Sequence, residues 1–279
     1  MAESPDGGLR AEVAGGVGTI VIDRPAKRNA MSADMWRALP GVLDGLAADP
    51  GVRVVVLTGA GGNFCAGADI AELADIHRDD DSHLATVAER ALAAFPKPAL
   101  AAIEGYCVGG GCQLAAACDL RFAAEGARFG ITPAKLGIVY PVAATARLVG
   151  LVGPSAAKYL LYSADLIGAE HALRIGLLDE VVPAGGLRER VAGFAATLAS
   201  RSLLTQRATK DIVDAVVASG LSSGARPLNG GGWGLEDGPV AEKAKRWLDE
   251  MAASGEVEEG VAAFLERRAP RFTWTSPSR

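Results

Sequence analysis

The 279-residue chain predicts an α/β fold of stacked β-β-α turns followed by a helical C-terminal region. Three observations predict it. Val52–Thr58 and Ala99–Ile103 are near-continuous apolar runs, as strands covered on both faces of a parallel sheet are. Each leads into a turn of small residues, Phe64–Ile70 and Gly105–Gly111. From Leu187 onward the pattern is helical.

The elements follow in order. Leu9–Ala14 and Gly18–Asp23 read as a hairpin turned by Gly15-Gly16. Ser32 caps a helix to about Ala48. After the Val52–Thr58 strand, Ala85–Phe95 reads as a helix stopped by Pro96-Lys97-Pro98. Leu114–Cys118 is an alanine-rich helix. Leu120–Ala124 and Leu178–Val182 are further strands. The expected division is a core over 1–198 and a C-terminal helical region over 199–279. Gly220–Gly238, rich in Gly, Ser and Pro, reads as a loop inside that region.

Apolar residues make up 49% of the chain and charged residues 22%, which suits a globule with a large core. A net charge of -5 and the lack of a basic stripe argue against nucleic acid. No apolar run is long enough to span a membrane, and the polar Met1–Gly8 is no secretory signal. Cys65, Cys107, Cys112 and Cys118 have neither metal-ligand spacing nor a disulfide pattern. Free buried thiols and a reducing cytoplasm are therefore expected, with no metal.

The chemistry concentrates in two turns. Gly109-Gly110-Gly111 lies between a strand and a helix and brings the backbone close to whatever binds there. N–H groups at a helix N-terminus lack intrahelical partners and favour negative charge. Phe64-Cys65-Ala66-Gly67-Ala68-Asp69-Ile70 has the same character. Two such turns after strands of one sheet suggest two N–H donors converging on one oxygen, as in an oxyanion hole. A phosphate loop is the weaker reading. Gly59–Phe64 breaks the G-x-G-x-x-G pattern at its last position, and no G-x-x-x-x-G-K-[ST] is present.

These two segments resemble the enoyl-CoA hydratase/isomerase, or crotonase, family. Further matches run in the same order. They are Asp23–Ala30, Cys118-Asp119-Leu120, Ala172–Val182 and Glu259–Arg268. The resemblance covers roughly Leu9–Phe272 and implies the crotonase spiral. It implies an acyl-CoA substrate, with coenzyme A as part of that substrate and no permanently bound cofactor. It also implies a homotrimer or a dimer of trimers, with the C-terminal helices as the trimerisation region. By motif position, the N–H groups of Ala68 and Gly110 hold the thioester oxygen of an enolate. Coenzyme A meets Lys27, Arg28, Ala30, Ala66, Ala68, Asp69, Ile70 and Gly110, with Lys27 and Arg28 at its phosphates.

The family's hydratases use two glutamates. Their positions here hold Gln113 and Pro133, neither of which exchanges a proton. A dehalogenase aspartate would fall at Pro141. The segment Thr132–Tyr140 instead resembles the methylmalonyl-CoA decarboxylase branch, with Tyr140 near the substrate. Loss of CO2 makes the enolate without a base. Catalytic roles are therefore expected for Ala68, Gly110, Gln113 and Tyr140, and decarboxylation of a malonyl-type CoA is the first expectation. Hydration by a different acid/base set and CoA binding without turnover are the alternatives. His77 and His83, flanking Asp79-Asp80-Asp81, are expected to be solvated, and His171 to be structural.

Overall fold

A computed structural model describes residues 8–76, 83–219 and 238–275. The chain forms two compact units. One comprises Met1–Phe95 with Ala99–Ala196, the other Pro96–Pro98 with Thr197–Arg279.

In the first unit, β1 (Gly8–Ala14) and β2 (Val17–Asp23) form an antiparallel hairpin. Its two-residue turn puts Gly15 and Gly16 at φ 57° and 84°, a conformation that matches the strand twist and suits glycine. Helix α1 (Ala33–Ala48) starts where the Ser32 hydroxyl accepts from the Met35 N–H at 3.3 Å. Its stripe Met35, Trp36, Leu39, Leu43 and Leu46 is buried at helical spacing. Next come β3 (Val54–Gly59), the short α2 (Leu73–Ile76) and α3 (Leu84–Ala93). They lead to β4 (Ala99–Ile103), β5 (Tyr106–Val108) and α4 (Gly110–Ala117). Strands β6 (Leu120–Ala124) and β7 (Arg128–Gly130) precede α5 (Val142–Ser163), which is broken at Gly153. The unit closes with β8 (Ile167–Gly168), α6 (Ala169–Arg174), β9 (Glu180–Val182) and most of α7 (Leu187–Ala199).

The main sheet has the order β1-β2-β3-β4-β6-β9 and is parallel from β2 onward. All five residues of β4 are buried, which explains its unbroken apolar sequence. A second sheet has the order β5-β7-β8.

Three expectations need correction. Helix α4 begins at Gly110, not Leu114: the glycine run is an N-cap plus the first helical turn, with Gly109 at φ 54°. The last strand starts at Glu180, because the Leu177 and Leu178 N–H groups turn back onto the Ala172 carbonyl. The three-residue strands β5 and β7 were not expected, being too short to show a period.

The second unit contains α8 (Leu203–Ala218), α9 (Pro239–Ser254) and α10 (Glu256–Glu266). The Asp211 carboxylate accepts from Lys243, from Arg246 at 2.8 Å and from the Trp247 indole at 2.9 Å. Burial alone would raise its pKa, but these donors outweigh burial and hold it below the usual value. Arg207 lies over the Trp247 and Trp274 rings. The expected loop at Gly220–Gly238 falls almost wholly outside the described residues, as does His77.

Candidate active site

A parallel bridge between Cys65 and Cys107 sets the site. The Cys65 N–H donates to the Tyr106 carbonyl and the Val108 N–H to the Cys65 carbonyl, both at 2.9 Å. The two segments therefore advance in step, and residues three beyond the bridge, Ala68 and Gly110, arrive side by side. A Cβ on Gly110 would lie 3.6 Å from the Ala68 nitrogen. A Cβ on Gly67 would lie 3.5 Å from the Gly110 nitrogen. Glycine is required here: a Cβ on Gly111 would sit 2.3 Å from the Cys65 carbonyl oxygen.

Both N–H groups point away from the backbone pairing around them. Met31 donates to Gly67 at 2.8 Å and accepts from Asp69 at 2.9 Å, a bridge that leaves the intervening Ala68 N–H facing the other way. The Gly109 N–H is taken by the Gly130 carbonyl at 2.8 Å. Gly110, the first residue of α4, has no intrahelical acceptor. Ala68 and Gly110 both line a cavity of about 110 Å³.

The residues expected to meet coenzyme A are partly assembled. The Ala66 N–H donates to the Arg28 carbonyl at 3.0 Å, so 28–31 runs beside 66–69. Ala66, Ala68 and Ile70 line the cavity; Ile70 is exposed. The Asp69 side chain is buried and works structurally. It accepts from Arg24 at 2.7 Å and from the Ala71 N–H at 3.1 Å, with Lys27 at 3.8 Å. Burial would raise its pKa, but Arg24, Ala71 and Lys27 together depress it. Arg28 lies 4.9 Å from the centroid of the Tyr106 ring. Lys27, Arg28 and Ala30 do not line the cavity.

The opposite wall carries side chains. Gln113, Thr132, Pro133, Tyr140 and Pro141 line it, so both positions of the family's glutamates face the cavity without a carboxylate. Tyr140 packs against the core. Desolvation first, then its neighbours Cys112, Glu89 and Cys107, push its pKa well above that of an ordinary phenol. It can donate a hydrogen bond but resists ionisation. His83 also lines the cavity, which fits a substrate contact, the alternative to the solvated position expected first for its loop. The His171 ring lies 5.9 Å from the Tyr159 ring, tilted by 41°.

The cysteines are all free and buried, as expected. Burial first, then the neighbouring Cys112, pushes the Cys65 thiol up to about 12 against its hydrogen bonds. Such a thiol is a packing group.

Two participants were not visible in the sequence. Trp36 packs on Gly110, where a Cβ would meet its Cζ2 at 2.8 Å. Glu89, fully buried on α3, accepts from Gln113 Nε2 at 2.8 Å and from Arg147 Nε at 3.0 Å. Glu89 sits in an alanine-rich amphipathic segment, where one carboxylate carries no local mark of its role.

Two strand–turn–helix units thus bring two backbone amides next to one another at one cavity of an α/β scaffold. The family model described as enoyl-CoA hydratase/isomerase matches residues 12–226. The chain is 33% identical to the crotonyl-CoA hydratase of Syntrophomonas wolfei, over 91% of this chain and 93% of that one. It is 32% identical to the 2,3-dehydroadipyl-CoA hydratase of Escherichia coli, over 91% and 93% respectively. The crystal structure of an enoyl-CoA hydratase from Bacillus anthracis superposes with a TM-score of 0.82 at 30% identity, covering 95% of this chain and 98% of that one. A crystal structure of an enoyl-CoA hydratase/isomerase family member gives 0.85 at 36% identity, covering 96% and 99%. The chain belongs to the enoyl-CoA hydratase/isomerase family, and its fold is the crotonase fold.

Proposed function

We propose that the chain is an acyl-CoA lyase that holds a thioester enolate on the N–H groups of Ala68 and Gly110. The observation that carries this reading is the pair of adjacent amides lining one cavity. One preorganised donor of this kind is worth about 3–4 kcal/mol in the transition state. Coenzyme A would lie along 66–70, beside the backbone of 28–31. Lys27 would reach its phosphates. No helix among the described residues is long and apolar enough to cross a membrane. The exposed Val261, Phe264 and Leu265 of α10 supply an apolar surface for self-association into the trimer or dimer of trimers.

Addition of water to an enoyl-CoA is the reaction the relatives' names support. The absence of any carboxylate lining the cavity among the described residues favours a second reading, decarboxylation of a malonyl-type thioester. There the C–C bond electrons pass to the thioester oxygen as CO2 leaves, and water returns a proton to the α-carbon, oriented or relayed by the Tyr140 hydroxyl, which ends the step protonated. Neither step needs a carboxylate base.

Incubation with crotonyl-CoA and with methylmalonyl-CoA, followed by mass analysis, separates the two. Gain of water supports hydration and loss of CO2 supports decarboxylation. Failure to bind or convert either thioester would overturn the enolate reading itself.

A further inference from the structure

Gln113 stands where the family's first glutamate falls, and its carboxamide has one end committed. Nε2 donates to Glu89 Oε2 at 2.8 Å and approaches the Ala85 carbonyl oxygen at 3.5 Å. Both partners are oxygens that accept. Glu89 is fully buried, and its other oxygen accepts from Arg147 Nε at 3.0 Å. An arginine stays protonated at all working pH, so the paired carboxylate has nothing to donate. The amino end of Gln113 must therefore face Glu89. A flipped carboxamide would set Oε1 against a carboxylate oxygen inside the core and leave that charge without one of its donors. Oε1 accepts from no described group, and Gln113 lines the cavity beside Gly110.

We propose that Glu89, held by Arg147, is a positioning residue that locks Gln113 so that it offers the cavity an acceptor and no donor. The consequence is selectivity. An acyl group bearing a hydroxyl finds a partner at Oε1. A group with only acceptors there, such as a carboxylate, meets a like dipole. A malonyl-type carboxylate would then have to lie away from Gln113, toward Tyr140. This inference rests on the acyl-CoA reading and adds a specificity determinant behind the cavity wall.

Titration calorimetry with acetyl-CoA, butyryl-CoA and 3-hydroxybutyryl-CoA tests it. The wild type should bind 3-hydroxybutyryl-CoA about tenfold more tightly than butyryl-CoA, as one buried hydrogen bond allows. Glu89→Gln can receive or donate, so it frees Gln113 to flip. The preference should fall toward one while acetyl-CoA affinity holds. Gln113→Met, which keeps the volume and removes the acceptor, should lose the preference with Glu89 and Arg147 intact. It serves if Glu89→Gln does not fold. Equal wild-type affinity for the two four-carbon thioesters would overturn the proposal, as would a full preference in the folded Glu89→Gln protein or in Gln113→Met. Loss of binding to all three, acetyl-CoA included, would instead overturn the acyl-CoA reading.

Discussion

The two walls of the cavity are built on different principles. One wall is backbone: Ala68 and Gly110 contribute N–H groups fixed by the Cys65–Cys107 bridge and by glycines that admit no side chain. The other is side chain: Gln113, Pro133 and Tyr140 face the same space from α4 and the segment before α5. The backbone wall is indifferent to most side-chain changes, because its donors belong to the main chain. The side-chain wall can change residue by residue, and here neither glutamate position holds a glutamate. On the proposed function, charge stabilisation and proton handling are thus separable parts of one site.

The largest effect should come from deleting a donor on the backbone wall. Replacing Gly110 with glycolic acid puts an ester where the amide was and adds no Cβ against Trp36. Turnover of whichever thioester proves to be the substrate should fall about 10²–10³-fold. Thioester affinity should change much less. Proline at the same place would also remove the N–H, but its Cβ would strike Trp36, so the ester is the cleaner comparison.

On the side-chain wall the informative change is Gln113→Glu. In a two-glutamate site each group would be worth about 10²–10⁴-fold. Here the new carboxylate would face Glu89 across the present 2.8 Å contact, and two carboxylates so close cannot both ionise. Crotonyl-CoA hydration should therefore rise less than tenfold, measured by loss of the enoyl absorbance. A rise of a hundredfold or more would show that position 113 works without its partner and that the lock by Glu89 is loose.

Tyr140→Phe should be smaller still for hydration and larger for decarboxylation. It removes a phenol that stays protonated and keeps the ring that packs on the core. A pH–rate profile of the wild type should show no tyrosine ionisation below the ordinary phenol range, about 10.

The smallest effect is on stability. Asp69 has a depressed pKa when folded, so its contribution is complete above the unfolded carboxylate value of about 3.9 and is lost as pH falls through the folded value. Urea midpoints should be level at neutral pH and decline in acid. Asp69→Asn should be less stable at neutral pH and flatter below pH of about 4.

The difference between the walls also explains what the sequence revealed. Glycine runs and apolar strands are local, so β4 and the two small-residue turns were legible from composition, while the pairing of Ala68 with Gly110 came from the family resemblance. The four-residue error at the start of α4 has a local cause as well. Three glycines read as a loop, yet Gly110 and Gly111 are helical, and glycine stands at both because a Cβ would strike Trp36 or Cys65. Glu89 was not legible. Its meaning arises only when α3 packs beside α4 and brings it to Gln113, 24 residues away in sequence, and to Arg147, 58 residues away. Asp69 was read by its backbone, while its side chain proved to be tied to Arg24.

The most direct test of the central claim is a crystal structure with acetyl-CoA bound. The thioester oxygen should lie about 2.7–3.2 Å from both the Ala68 and the Gly110 nitrogens. A bound thioester whose oxygen reaches neither amide, or only water, would contradict the account.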